Sequence, residues 1–175
     1  MNPDRAAALE TQMRAALKKV LAETGQRPDV LAFRLIEDAF FVLATDISKV
    51  IPLPEYTLIP GAKPWVLGVA KDRGGLFPVI DMGIYAYGVT ALRGKTTAGV
   101  LLAMSPAGRV GLLVSEIVGL RKIGETTKAQ AAAGSGNTLL LRDALCNCVM
   151  EDEKWHLIDL AQLLNNPTFQ NLNLD

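Results

Sequence analysis

The chain has one histidine and two cysteines in 175 residues, and those scarcities exclude a good deal. A structural zinc site wants four nitrogen or sulfur ligands. Cys146 and Cys148 stand two apart, which on a strand puts both on one face, while His156 lies across an expected turn and no second cysteine pair exists. The two thiols are expected to be reduced and to pack as small apolar residues, with no metal and no cofactor. Nucleophilic or acid–base chemistry is equally short of parts, because there is no His-x-x-His pair and no Gly-x-Ser-x-Gly elbow. No catalytic residue is assigned, and the chain is expected not to be an enzyme.

Charge of one sign is also missing: 18 basic residues face 18 acidic ones. A nucleic-acid partner would want a basic face that displaces counterions from phosphates, so none is expected. No stretch approaches the ~20 apolar residues that cross a bilayer; runs such as Val100–Met104 and Val110–Val114 are strand length. Charges at Glu10, Arg14, Lys18 and Lys19 interrupt the start, so no secretion signal is read and a cytoplasmic location is expected. A chain of this length buries roughly 70% of its unfolded surface on folding and needs no disulfide.

What is present begins with Trp65–Met82, two apolar runs joined by a glycine turn that presents Arg73. Bulky and β-branched residues suit a half-buried pleat, and the Gly74-Gly75 pair can take the positive φ of a tight hairpin. Arg73 is therefore expected at a hairpin tip, facing solvent or a partner. Upstream, Leu31–Ile36 and Ala39–Thr45 flank Glu37-Asp38 as strand, turn and strand. Pro52, Pro54 and Pro60 confine the next stretch to an edge or a loop, since proline cannot donate to a ladder. Downstream, Asp81 is placed to cap a short helix ending at Gly88. Ala98–Ser105 then pairs with Arg109–Val114, and Gly119–Ile123 forms a further short strand.

Residues Thr126–Asn137 are rich in alanine, glycine and small polar side chains and read as a loop or frayed helix. Cys146–Met150 and Trp155–Ile158 form a last hairpin. Asp159 caps a closing helix that Asn165-Asn166-Pro167 stops, and the tail past Phe169 reads as loose. At the other end, Leu9, Met13, Leu17, Val20 and Leu21 recur at helical spacing until Gly25. That helix either packs on its own domain or docks to another protein. The expected organisation is a helix and linker over 1–28, a main domain over 29–166 and a tail over 167–175. Eight or more short strands at this spacing make the fold class mainly β, a sandwich or small barrels.

Two sets of residues imitate chemistry. Gly94-Lys95-Thr96 looks like the end of a phosphate loop, but the required first glycine falls at Val89. Glu151, Asp152 and Glu153 sit on a hairpin turn, where adjacent carboxylates read as a solvated cap that blocks edge pairing.

Around Arg73 the sequence resembles the CheW family of chemotaxis coupling proteins, whose hallmark reads Gly-Val-x-Asn-x-Arg-Gly-x-hydrophobic-x-Pro-hydrophobic-x-Asp-Leu. The match runs through Gly68-Val69, Arg73-Gly74, Pro78 and Asp81-Met82. Ser115–Leu120 is similar to the family's Asp-x-Val-x-Gly segment. Tyr56-Thr57-Leu58-Ile59-Pro60-Gly61-Ala62-Lys63-Pro64-Trp65-Val66 resembles the branch associated with type IV pili and twitching motility. The resemblance implies two intertwined SH3-like five-stranded β-barrels, to which the residue spacing adds the N-terminal amphipathic helix and the short C-terminal helix. It also implies an adaptor between a CheA-type histidine kinase and a chemoreceptor cytoplasmic tip, a monomer alone that assembles into arrays.

Carried over by position, the partner-binding residues are Arg73, Gly74, Gly68 and Val50, with Lys71 and Asp72 beside them. Lys71-Asp72 replaces the family's asparagine and apolar residue, which predicts a reorganised end of the strand. Pro52 stands where chemotaxis members carry an acid able to pair with the arginine, so Arg73 is expected to look to Asp72, Glu55 or the partner. Ser115 replaces a usual aspartate. Two rivals stay open: a coupling protein of a flagellar or other array, and a small β-barrel module that binds a ligand or nucleic acid, or acts on an unseen substrate. The nucleic-acid version needs aromatic platforms among basic residues, whereas Phe40, Phe41, Trp65, Tyr85 and Trp155 read as core or helix positions.

Overall fold

The computed structural model describes residues 29–93, 97–122, 128–131, 144–150 and 153–172. The expected N-terminal helix, the Gly94-Lys95-Thr96 sequence, Glu151 and Asp152 lie outside the described residues.

The chain starts in one sheet, moves to a second and returns. β1 (Asp29–Leu35) and β2 (Asp38–Leu43) form an antiparallel hairpin. β3 (Ile47–Ile51), β4 (Tyr56–Thr57), β5 (Val66–Asp72), β6 (Gly75–Asp81), β7 (Gly99–Ser105) and β8 (Gly108–Val114) then build the second sheet. β9 (Glu116–Lys122), β10 (Lys128–Ala131), β11 (Ala144–Met150) and β12 (Glu153–Ile158) complete the first. The orders are β10-β11-β12-β2-β1-β9 and β3-β7-β8-β6-β5-β4. The sheets therefore intertwine along the chain as expected, with six strands in each among the described residues rather than five. In each, one parallel pair, β2 with β12 or β6 with β8, joins strands distant in sequence.

The second sheet is strongly curled. Four strand spacings separate β3 from β5 in its order, about 19 Å if flat. Yet Lys49 on β3 reaches Asp72 on β5 at 3.3 Å, so the ends of the sheet bend toward each other. Phe77, Val79, Leu101, Leu102, Leu112 and Leu113 fill its core, and this core runs on into Leu31, Phe33, Leu35, Phe40 and Val42 of the first sheet. The opposite face of the first sheet carries a separate cluster of Val30, Ala32, Ala39, Phe41, Trp155 and Leu157. Strand alternation explains the split, because successive side chains point to opposite faces. The Tyr87 hydroxyl, on the helix α1 (Met82–Tyr87), donates to Asp38 of β2 and bridges the two sheets.

Local signals hold where they are local. Asp81 caps α1, accepting from the Gly83 and Ile84 amides at 2.9 and 3.1 Å, and Gly88 ends the helix at φ 71°. The same carboxylate accepts from the Ala91 amide at 3.0 Å and the Thr90 hydroxyl at 2.6 Å, which accounts for a wholly buried aspartate in the family motif. Asp159 caps α2 (Leu160–Asn165), accepting from the Gln162 amide at 2.9 Å.

Other expectations are corrected. Lys128–Ala131, expected in a loop or frayed helix, forms β10 on β11, an edge position that asks mainly for backbone pairing. Glu153 stays partly exposed, as expected, but is more than a solvated cap: it accepts two hydrogen bonds from the Arg34 guanidinium, at 2.6 and 2.7 Å. The chain past Phe169 is tied down as far as Leu172. Pro167–Gln170 forms α3, Phe169 packs edge-on against Tyr85 at 5.2 Å, and the Lys63 amide donates to the Leu172 carbonyl at 2.9 Å.

Candidate partner-binding surface

The β5–β6 hairpin forms as the sequence predicts, with Arg73-Gly74 as its connection. Its last rungs are Lys71 opposite Leu76 and Asp72 opposite Gly75, so the expected reorganisation at Lys71-Asp72 does not occur and pairing continues to the turn. The two glycines serve different ends. Gly75 takes the positive φ, 109°. Gly74 instead leaves room: a Cβ there would lie 1.7 Å from an Arg109 guanidinium nitrogen.

Asp72 is the hub of this end of the sheet. One carboxylate oxygen accepts from the Arg73 amide at 2.7 Å; the other lies 3.3 Å from the Lys49 ammonium and 3.9 Å from the Arg109 guanidinium. The Arg73 amide first, then Lys49, holds its carboxyl below the ordinary aspartate range, with Arg109 adding to the effect. Lys49, Asp72 and Arg109 come from β3, β5 and β8, and only the curl of the sheet brings them together.

Arg73 itself is exposed. Among the described residues no acid pairs with its guanidinium: Asp72 takes the Arg73 backbone amide rather than its side chain, and Glu55 does not reach it. Neither of the two acids considered for the loss of an acid at Pro52 pairs with its side chain. Val50 is 42% exposed on β3, next to the Lys49 that reaches the hairpin. The structure thus gathers Lys71, Asp72, Arg73 and Gly74 at the tip of one hairpin, and the Lys49 contact brings β3, the strand that carries Val50, to that end of the sheet.

Gly68 lies away from the turn, five positions before Arg73 on β5 and opposite Val79. It is buried at φ 153° beside a register shift, and a Cβ there would lie 2.2 Å from the Thr57 carbonyl. Only a glycine lets β4 lie against β5 at this point. Beside β4 a shallow groove of about 540 Å³ is lined by Glu55, Tyr56, Val69, Lys71 and Leu76 among others. Leu76 is 70% exposed, one rung from the turn. Sequence reasoning missed Leu76, although its alternation with buried Phe77 was visible. It also missed Lys49 and Arg109, for which no local signal exists.

Ser115, in place of the usual aspartate, is a buried joint between the sheets. Its hydroxyl accepts from the Ile36 amide at 2.9 Å and its own amide donates to the Arg34 carbonyl at 3.1 Å. Ile36 has φ 60°, unfavourable for a β-branched residue, and this bond holds it there.

Residues 29–168 match the CheW-like domain family. The chain belongs to that family. The CheW-like chain is 33% identical to the PilI protein of Pseudomonas aeruginosa over 92 residues, covering 52% of this chain and 51% of PilI. It is 28% identical over 107 residues to the chemotaxis protein CheW of Thermotoga maritima, covering 61% and 70% of the two chains. The chain thus spans about half the length of PilI in the region it matches. A crystal structure of the scaffolding protein TtCheW from Thermoanaerobacter tengcongensis superposes with a TM-score of 0.69 at 19% identity, covering 84% of this chain and 94% of that one. The two-sheet architecture is therefore the CheW fold, and the family is one of scaffolds rather than enzymes. Among the described residues no helix is long and apolar enough to cross a membrane.

Proposed function

We propose that this chain is a cytoplasmic adaptor that couples a chemoreceptor tip to the regulatory domain of a CheA-type histidine kinase, in a chemosensory system controlling type IV pili. The observation that carries the reading is the Arg73 turn. It matches the family motif, it is exposed, and no acid of the described residues pairs with its guanidinium. An arginine held at a turn with its planar fork of donors free is suited to a carboxylate on a partner. The similarity to PilI supports the pilus branch over a flagellar array.

The mechanism is co-localisation. Separate surfaces of one rigid body hold receptor and kinase at fixed geometry and raise their effective concentration for each other. Signal passes if the receptor favours one arrangement of the kinase, a coupling of typically about 1 to 3 kcal/mol spread over both interfaces. The aromatic residues offer little to the rival nucleic-acid reading. Phe41 stacks on Trp155 at 4.5 Å, Phe40 on Phe33 at 5.7 Å, and Trp65 meets Tyr85 edge-on at 5.5 Å, so these rings are spent on the interior.

Co-purification of the full chain with tagged kinase regulatory domain and receptor-tip fragments tests the reading. The wild type is expected to retain both, and Arg73→Glu to lose at least one of them while its melting temperature stays the same. Retention of both fragments by the variant, with normal surface motility, overturns the assignment of the turn.

A further inference from the structure

We propose that Lys49, Asp72 and Arg109 form an ionic clasp across the open end of the curled sheet, positioning the Arg73 turn for its partner. The proposal rests on the reading of that turn as a docking surface. Three observations converge on it. Asp72 lies one residue before Arg73, and one of its oxygens accepts the Arg73 amide at 2.7 Å, so a change at this carboxylate is felt directly in the turn backbone. Its other oxygen faces cations from two other strands, Lys49 at 3.3 Å and Arg109 at 3.9 Å. Finally, the Arg109 guanidinium fills the space beside residue 74 that any side chain would claim, with three of its atoms 1.7 to 2.3 Å from the position of an added Cβ.

The clasp has two consequences for recognition. It links the hairpin tip to β3, and so sets the distance between Arg73 and Val50, two elements the sheet order alone would leave far apart. It also occupies both oxygens of the nearest acid. Asp72 would otherwise be the natural partner of the Arg73 guanidinium; engaged by Lys49 and the turn amide, it leaves that guanidinium to an incoming carboxylate. Lys49, Asp72 and Arg109 are thus positioning residues, and Arg73 is the residue that makes contact.

The test uses the full chain and reads amide hydrogen exchange at Arg73, Gly74 and Gly75 together with affinity for the kinase regulatory domain and a receptor-tip fragment. Asp72→Asn keeps an acceptor for the Arg73 amide but removes the charge. Lys49→Met keeps the stem, and Gly74→Ala displaces the Arg109 guanidinium while leaving every charge in the chain. Each is expected to speed exchange at the three turn amides by about two- to fivefold, as suits partly exposed ion pairs, with the β7 amides unchanged. Affinity for the fragment that reads Arg73 is expected to fall by a similar factor, and Lys49→Arg to preserve both readouts. Unchanged turn amides in all three variants overturn the clasp. Faster exchange with unchanged affinity overturns its positioning role. A wild type that binds neither fragment overturns the docking reading, and the exchange data then judge the clasp as a structural feature alone.

Discussion

Arg34 and Arg73 occupy similar places, each near the end of a hairpin strand, and the fold uses them in opposite ways. Arg34 is committed: its guanidinium donates to both Glu153 oxygens and lies 5.5 Å from the centre of the Trp155 ring. It can do so because the residue between is small. Arg34 pairs with Ala39 on β2, and Ala39 with Trp155 on β12, so the side chain crosses over a methyl group to reach the third strand. Arg73 has nothing of the kind, since the acid beside it is held by Lys49 and by the turn backbone. An arginine becomes available to a partner when its neighbours' acids are already engaged, and the comparison is a way to find such residues in other folds.

The largest effect on the Arg73 side of the comparison is expected from Gly68, five positions earlier on β5. Gly68→Ala places a methyl group against the Thr57 carbonyl in a backbone conformation that disfavours side chains. Overpacking and φ strain together suggest a cost of about 3 kcal/mol. Chemical denaturation is expected to show that loss, and β4 is expected to leave the edge of the sheet. If stability is unchanged, Gly68 matters for contact rather than for the bulge.

The two arginines should then separate cleanly. Removing an arginine from the centre of an interface typically costs about 2 kcal/mol or more of binding, roughly thirtyfold in affinity, so Arg73→Met is expected to lose partner binding with little change in melting temperature. Arg34→Met is expected to do the reverse. It forfeits a partly solvent-screened ion pair and a cation–π contact, about 1 kcal/mol of stability together, with partner binding intact. Equal losses of stability in both variants would erase the distinction between a committed and an available arginine.

How much of this the residues disclose in advance depends on the distance over which the cause acts. Asp81, Asp159, Gly88 and the β5–β6 hairpin were legible because a cap or a tight turn is settled within a few positions of chain. Arg73 was legible through its motif. Its counterpart was not: Arg34 and Glu153 are 119 positions apart, and a run of three carboxylates reads as a solvated cap until a distant arginine arrives. The clasp was hidden for the same reason, because Lys49, Asp72 and Arg109 meet only through the curl of the sheet. β10 escaped for another. Its sequence, Lys-Ala-Gln-Ala, has no bulky or β-branched residue to signal a strand, and an edge strand is held by backbone hydrogen bonds that any sequence without proline can make.

The hydroxyl of Ser115 offers a smaller test between the two regions, since it supports the β1–β2 turn just after Arg34. Ser115→Ala orphans the Ile36 amide, a loss of about 1 to 2 kcal/mol. Ile36→Gly relieves the positive φ and is expected to recover part of it. Thermal melts of the single and double variants check both statements; if glycine at 36 gives the Ser115→Ala protein nothing back, strain at that turn is not what the hydroxyl offsets.

Acid provides the smallest and most selective contrast. Glu153 is held below the ordinary glutamate value of 4.5 mainly by its hydrogen bonds with Arg34. A carboxyl depressed in the fold stabilises above its unfolded value and loses that contribution as pH falls through its folded one, so the Arg34 corner weakens below about pH 4.5. His156 is held below 6.5, first by burial and then by Lys154, with Asp38 opposing. It is neutral in the fold, and its share of stability is therefore lost earlier, as pH drops below about 6.5. Asp46, raised by partial burial and by Asp159, acts in the opposite sense, since its protonation on acidification relieves a half-buried charge. Stability measured from pH 7 to pH 3 is expected to decline in two stages. Arg34→Met should flatten the lower stage and leave the upper one. An unchanged lower stage in that variant would mean that Glu153 draws its low value from elsewhere, and that Arg34 is less committed than its geometry indicates.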